Sequence, residues 1–136
     1  MSTILQIANA DRNLSRLMQT IRGTLLEDTL GGYGPFTMLA PVNLAFSNMA
    51  GMSYDELSKP ANVEKLTDLL GNHILSEKKL LKDFRHGQKL KTISGRELNV
   101  TVVNGETRIN GARILAKDRQ GSNGVVHSID TVNILS

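Results

Sequence analysis

Phe36-Thr37-Met38-Leu39-Ala40-Pro41-Val42-Asn43-Leu44-Ala45-Phe46 is the stretch in which the chain changes structural state most abruptly. Phe36 to Leu39 is a short apolar run behind the breakers Gly31, Gly32, Gly34 and Pro35. So few residues suit a buried strand better than a helix. Pro41 has no N–H to add to a ladder and holds Ala40 extended, so the strand is expected to end there and the chain to turn. Asn43 then offers a cap for a helix that carries Leu44, Ala45, Phe46 and Met49 inward. One strand and one helix share a corner.

Upstream of that corner, Ser2 or Thr3 can cap a short helix with apolar Ile4, Leu5, Ile7 and Ala8, interrupted at Asn9-Ala10-Asp11. Leu14, Leu17, Met18 and Ile21 follow at the i, i+3, i+4, i+7 spacing of one helical face and are read as core. Gly31-Gly32-Tyr33-Gly34 lacks the lysine and the preceding strand of a phosphate loop, which argues against a nucleotide site. Downstream, Ser53-Tyr54-Asp55-Glu56 has the form of a capping box, and Pro60 closes the short helix it opens. Asn62 caps a further helix whose Val63, Leu66, Leu69 and Leu70 face inward and which Gly71 stops. Ser76 is expected to cap a last helix with Leu80, Leu81 and Phe84, ended by His86-Gly87.

From Gln88 the period changes from helical to alternating, and β-branched residues accumulate, which predicts a β-meander. Ser94-Gly95-Arg96 and Asn104-Gly105 are turn signals, the second because both residues accept positive φ in a tight hairpin. Ile109 and Ile114, five apart, would face opposite sides of a regular strand, so a bulge at Gly111 is expected to reset the phase. Asp118 to Asn123 reads as a polar loop into closing strands that carry Val125, Val126, Ile129 and Val132. Helices first and strands second predict an α+β domain: a compact, largely antiparallel β-sandwich with several helices from the N-terminal half packed beside it.

The chain of 136 residues fits a single domain over 1–136, large enough to fold without a staple. It has no cysteine, so disulfides and thiolate chemistry are excluded. A net charge of +3 and five Phe and Tyr with no Trp do not make a nucleic-acid binder, which concentrates charge and adds stacking aromatics. No stretch reads as a membrane span or as a secretion signal.

The candidates for chemistry reduce to structure. His73, His86 and His127 have no metal-ligand spacing, and no metal or other cofactor is expected. His127 lies in the most apolar closing stretch, where its expected role is a buried hydrogen bond that fixes packing, with the Thr37 hydroxyl as partner. His127 and Asp130, i and i+3 on a strand, project to opposite faces and do not form a relay. Ser122 lacks a nucleophile elbow, and the carboxylates are scattered, so no catalytic residue and no enzyme is read. Lys78, Lys79, Lys82, Arg85, Lys89 and Lys91 stand against Asp83 alone in their interval. A solvated face is the plainer reading of such a run; the functional one is attraction to an acidic glycan, an anionic surface or an acidic protein.

Two blocks carry a family resemblance. Thr37 to Phe46 resembles the opening signature of fasciclin-type domains, with Val42 where a hydroxyl is usual, and its marked positions are Thr37, Pro41, Asn43 and Phe46. Asn123-Gly124-Val125-Val126-His127-Ser128-Ile129-Asp130 resembles the closing signature, marked by Asn123, Gly124, His127 and Asp130. Between them, Leu69 to Leu75 resembles the central Tyr-His segment, with Asn72 in place of the tyrosine before His73, and Val103 to Ile114 resembles the family's hairpin. The resemblance implies that the two signature strands lie close together in the sandwich. It implies a non-enzymatic, extracellular, periplasmic or cell-surface adhesion module, of a bacterial member and monomeric. Its partner would be a cell-surface or matrix protein or glycan, engaged near Asn72 and His73 or at Lys78, Lys79 and Lys82. The alternative is a polysaccharide or small-ligand binder in which the helical side and the Lys78–Lys91 segment form one site.

Overall fold

The computed structural model describes residues 2–22, 24–47, 54–57 and 59–132. Among the described residues six short helices, α1 (Ile4–Asn9), α2 (Ser15–Ile21), α3 (Leu25–Leu30), α4 (Asn43–Ser47), α5 (Tyr54–Leu57) and α6 (Val63–Gly71), lie within the first 71 positions. The strands are β1 (Phe36–Pro41), β2 (Ile74–Leu75), β3 (Lys89–Lys91), β4 (Glu97–Val103), β5 (Glu106–Ile109), β6 (Ala112–Gly121) and β7 (Gly124–Ile129). They form one seven-stranded sheet in the order β2-β1-β7-β6-β5-β4-β3. Every pairing is antiparallel except β1 with β7, where Phe36 to Pro41 run in parallel register with Gly124 to Ile129. The sheet curls until an antiparallel bridge joins Leu75 to Thr92 and the Ile93 N–H reaches the Ile74 carbonyl at 2.9 Å. The expected α+β sandwich is thus made by opposite walls of a single near-barrel.

Two apolar cores share one wall. Met38, Ala40, Ile74 and Val126 face the helices, packing with Ile4, Leu14, Leu17, Ile21, Leu30 and Leu70. Leu39, Leu75 and Ile129 face the barrel interior with Phe84, Leu90, Leu98, Val100 and Ile109. Strands with both faces covered read as continuous apolar runs, and this is why Thr37 to Pro41 and all of β7 are buried. By contrast β4 alternates at its start, with buried Leu98 and Val100 between exposed neighbours, as a strand with one wet face should.

Local chemistry sets the helix ends. The Thr3 hydroxyl accepts from the Gln6 N–H, and the Gln6 side chain accepts from the Thr3 N–H, a capping box that starts α1. Leu14 cannot cap α2, and Asn43 does it from across the corner. Its Oδ1 accepts from the Arg16 N–H at 2.9 Å, and its Nδ2 donates to the Arg12 carbonyl and the Ser15 hydroxyl. Asn43 was expected to cap its own helix. There, Ala45 and Phe46 turn inward while Leu44 is 68% exposed. Met49 and Ser53, assigned above to a helix face and a capping box, lie outside the described residues.

Pro41 is the last residue of β1, as expected; it stands opposite Ile129, and the Val42 N–H closes the ladder on the Ile129 carbonyl. Several other expectations are corrected. Pro60 opens a 3₁₀ turn, Pro60–Asn62, that leads into α6, and Asn62 uses its side chain on the Glu56 carbonyl rather than as a cap. The helix expected after Ser76 is only a 3₁₀ turn, Leu81–Asp83. Asn110-Gly111 is a second two-residue hairpin turn like Asn104-Gly105, with Ile109 opposite Ala112. The irregularity expected at Gly111 lies further on: β6 slips register between Ile114 and Arg119, and Asp118 takes a φ of 57°. The segment Asp118 to Gly121 is therefore strand, not loop.

Candidate functional site

The parallel contact between β1 and β7 positions a latch. Thr37 and His127 lie on neighbouring strands, and both close on the backbone of the segment after β2. The Thr37 hydroxyl donates to the Glu77 carbonyl (2.6 Å) and accepts from the Lys79 N–H (2.8 Å). His127 Nε2 meets the Lys79 carbonyl at 2.7 Å. A carbonyl only accepts, so Nε2 carries the proton, and Nδ1 is left to accept from the Asp118 N–H at 3.1 Å. The left-handed residue Asp118 also takes the Leu81 N–H on its carboxylate. Phe84 packs edge-on against the imidazole, with ring centroids 5.6 Å apart. The direct Thr37–His127 bond expected from sequence is replaced by a shared grip on Glu77 and Lys79.

Burial lowers the proton affinity of His127, partly offset by the Lys79 carbonyl and the Asp118 charge. Burial thus favours the neutral ring, which serves as a structural element. Both nitrogens are engaged.

The other signature residues fasten the same region. Asn123 Oδ1 accepts from the Ile4 N–H, its Nδ2 donates to the Leu30 and Gly32 carbonyls, and its own carbonyl accepts from the Phe36 N–H. One residue thereby ties α1 and the end of α3 through its side chain and the start of β1 through its backbone. Gly124 runs so close to β1 that a Cβ there would fall on the Phe36 carbonyl oxygen. Asp130 accepts from the Arg113 N–H at 2.9 Å and locks β6 past the end of β7.

On the platform held by this latch, Lys78 is exposed and its Nζ donates to Gln120 Oε1 at 2.7 Å. The Lys79 side chain is 21% exposed and lies 3.9 Å from Glu77, while Lys82 is exposed on the 3₁₀ turn. The structure therefore brings Lys78 and Lys79 onto a backbone fixed by Thr37 and His127. No sequence signal pointed to that link.

Asn72 and His73 are placed differently: they are 1% and 2% exposed. His73 Nδ1 donates to the Leu69 carbonyl, and burial pushes its pKa down to about 4. Asn72 Oδ1 accepts from the Ser94 hydroxyl at 2.6 Å, and Ser94 meets the Thr92 hydroxyl at 2.7 Å. Arg96, in the same turn, pairs with Asp68 of α6. The Asn72–Ser94 hydrogen bond and the Asp68–Arg96 pair pin the β3–β4 turn against α6. Beyond the turn signal, the links of Ser94 to Asn72 and of Arg96 to Asp68 were not singled out from sequence, because each joins residues more than twenty positions apart.

The pinned turn, α6 and α3 enclose a groove of about 650 Å³, lined by Leu25, Leu26, Val63, Ile93, Glu64 and Asp68 among others. Among the described residues no group of three or more His, Asp or Glu side chains is arranged to hold a metal ion, and no helix is long and apolar enough to cross a membrane.

A curled seven-stranded sheet with one parallel contact, sealed by helices on one wall, defines the class of domain. The Fasciclin domain family model matches residues 12–134, and the chain belongs to that family. It is 31% identical over 130 residues to protein sll1483 of Synechocystis sp., covering 96% of this chain and 72% of that one. It is 29% identical over 124 residues to the cell surface glycolipoprotein MPB83 of Mycobacterium bovis, covering 88% of this chain and 54% of the relative. The FAS1 domain pair of the insect cell adhesion molecule Fasciclin I shares the fold, with a TM-score of 0.75 at 19% identity over 98% of this chain and 51% of that one.

Proposed function

We propose that the chain is a non-enzymatic extracellular interaction module that mediates adhesion through protein or carbohydrate contacts, with Lys78, Lys79 and Lys82 presented to the partner. The observation that carries this reading is the latch: Thr37 and His127 fix the backbone that bears Lys78 and Lys79 through three hydrogen bonds. A fixed backbone lowers the ordering cost of a contact, and long cations on it meet sulfates or carboxylates with little rearrangement. Family membership and a relative at the cell surface support an external location. Buried Asn72 enters as a residue that positions the β3–β4 turn, and buried His73 as one that fastens the end of α6, rather than as contacts.

The alternative, a small-ligand site built jointly from the helical side and the basic segment, draws nothing from the groove, because none of its lining residues comes from Lys78–Lys91. A glycan array and a cell-surface pull-down with the chain test the proposal. Anionic glycans or acidic surface proteins should be retained, with retention fading as salt rises; preference for neutral glycans at all salt concentrations would count against it.

A further inference from the structure

We infer that the groove between α3, α6 and the β3–β4 turn is a docking site for a partner segment carrying one or two large apolar side chains flanked by Lys or Arg. The floor and lip are apolar: Leu25 is 80% exposed and Val63 46%, beside Leu26 and Ile93. Isolated surface leucines need no explanation, but these two converge on one concavity whose volume of about 650 Å³ takes more than one large side chain.

Charge selects the occupant. Glu64 and Asp68, one helical turn apart on α6, both line the groove. Asp68 is partly neutralised by Arg96, while among the described residues no cation pairs with Glu64. Glu27 and Asp28 are exposed on α3 just past Leu25. The sequence from 24 to 71 holds Glu27, Asp28, Asp55, Glu56, Glu64 and Asp68 against only Lys59 and Lys65, in a chain whose net charge is +3. The stretch that carries α3 and α6 is thus acidic, opposite in sign to the lysine platform. An acidic rim around an apolar floor attracts basic flanks and repels acidic ones.

The groove walls are held in shape. A Cβ on Gly71 would stand 3.2 Å from the Ser94 Cβ, so α6 and the turn are in close contact, and the Asn72–Ser94–Thr92 hydrogen bonds fix the turn. This site rests on the adhesion reading only in taking a protein segment as occupant. It uses other residues than the lysine platform, so either can fail alone.

Fluorescence anisotropy with three labelled octapeptides tests it on the full chain: a Leu-Phe centre flanked by lysines, the same centre flanked by glutamates, and a Ser-Ser centre flanked by lysines. The first should bind with a Kd below about 1 mM and lose about fivefold or more in each of Leu25→Ser, Val63→Ser and Glu64→Lys. All three variants change exposed residues and should keep the wild-type thermal transition. The glutamate-flanked and serine-centred probes should bind at least about fivefold more weakly than the first. Equal binding of the first two probes, binding unaffected by the variants, or no binding of the first probe would overturn the inference. Sedimentation showing a dimer that Leu25→Ser dissolves would assign the groove to a second copy and overturn it as well.

Discussion

His127 and His73 are polar side chains in apolar surroundings, and their hydrogen bonds decide what their removal does. His127→Ala deletes the donor to the Lys79 carbonyl and the acceptor for Asp118, and opens a void beside Phe84. Loss of about 2–4 kcal/mol in urea denaturation is expected, and an unchanged midpoint would contradict the structural role. Acid acts through the same groups. Well above pH 6.5 His73 and His127 are neutral in both folded and unfolded chains, and neither contributes to pH dependence. Between 6.5 and about 4 the unfolded chain binds protons that buried His73 refuses, so stability falls as pH falls, by about 3 kcal/mol for His73 across that window. His127 adds to the slope in the same direction. Urea midpoints at pH 7.5, 5.5 and 4.5 check this: a steady decline is predicted, and a flat profile would be the contrary result. At this scale sequence was half legible. The apolar neighbours of His127 announced burial, but its partner did not show, because Lys79 offers only its backbone and every residue has one of those.

At the scale of elements, the parallel contact of β1 with β7 is the most demanding. Gly124→Ala would drive a Cβ into the Phe36 carbonyl, whereas Gly105, at a φ of 79°, has open space around it. The first change should cost at least about 3 kcal/mol or prevent folding, and Gly105→Ala only about 1 kcal/mol. Thermal denaturation of the two variants compares them directly; equal losses would mean that β1 and β7 are further apart than described. Helix α1, the α2 stripe and the Asn104-Gly105 hairpin were readable because their signals are local. The bulge was misplaced because Asn110-Gly111 and Asp118 both break alternation, and only pairing with β7 shows which one turns the chain and which one bulges. Asn43 was misread for a related reason: a capping residue serves whichever helix end lies in reach, and here that end is twenty-seven residues upstream.

For the whole molecule, the near-barrel puts opposite charges on different elements: carboxylates along the α3 and α6 groove, and lysines on the segment gripped by the two signature strands. The order of helices and strands told of the fold class, since a helical half followed by an alternating half has few ways to bury both. The surface was less legible. Charge runs were visible as composition, but burial of Asn72 and His73, rigidity of the lysine segment and convergence of Leu25 with Val63 arise only when distant segments meet. Lys78, Lys79 and Lys82 are proposed to form a fixed contact surface rather than a solvated run. Retention on immobilised heparin tests it most directly, comparing the chain with Lys78→Glu/Lys79→Glu/Lys82→Glu and with a control of equal net charge, Lys65→Glu/Arg108→Glu/Lys117→Glu. The first variant should no longer be retained, while the control should keep most of its retention. Equal loss in both variants, or unchanged retention of the first, would contradict it.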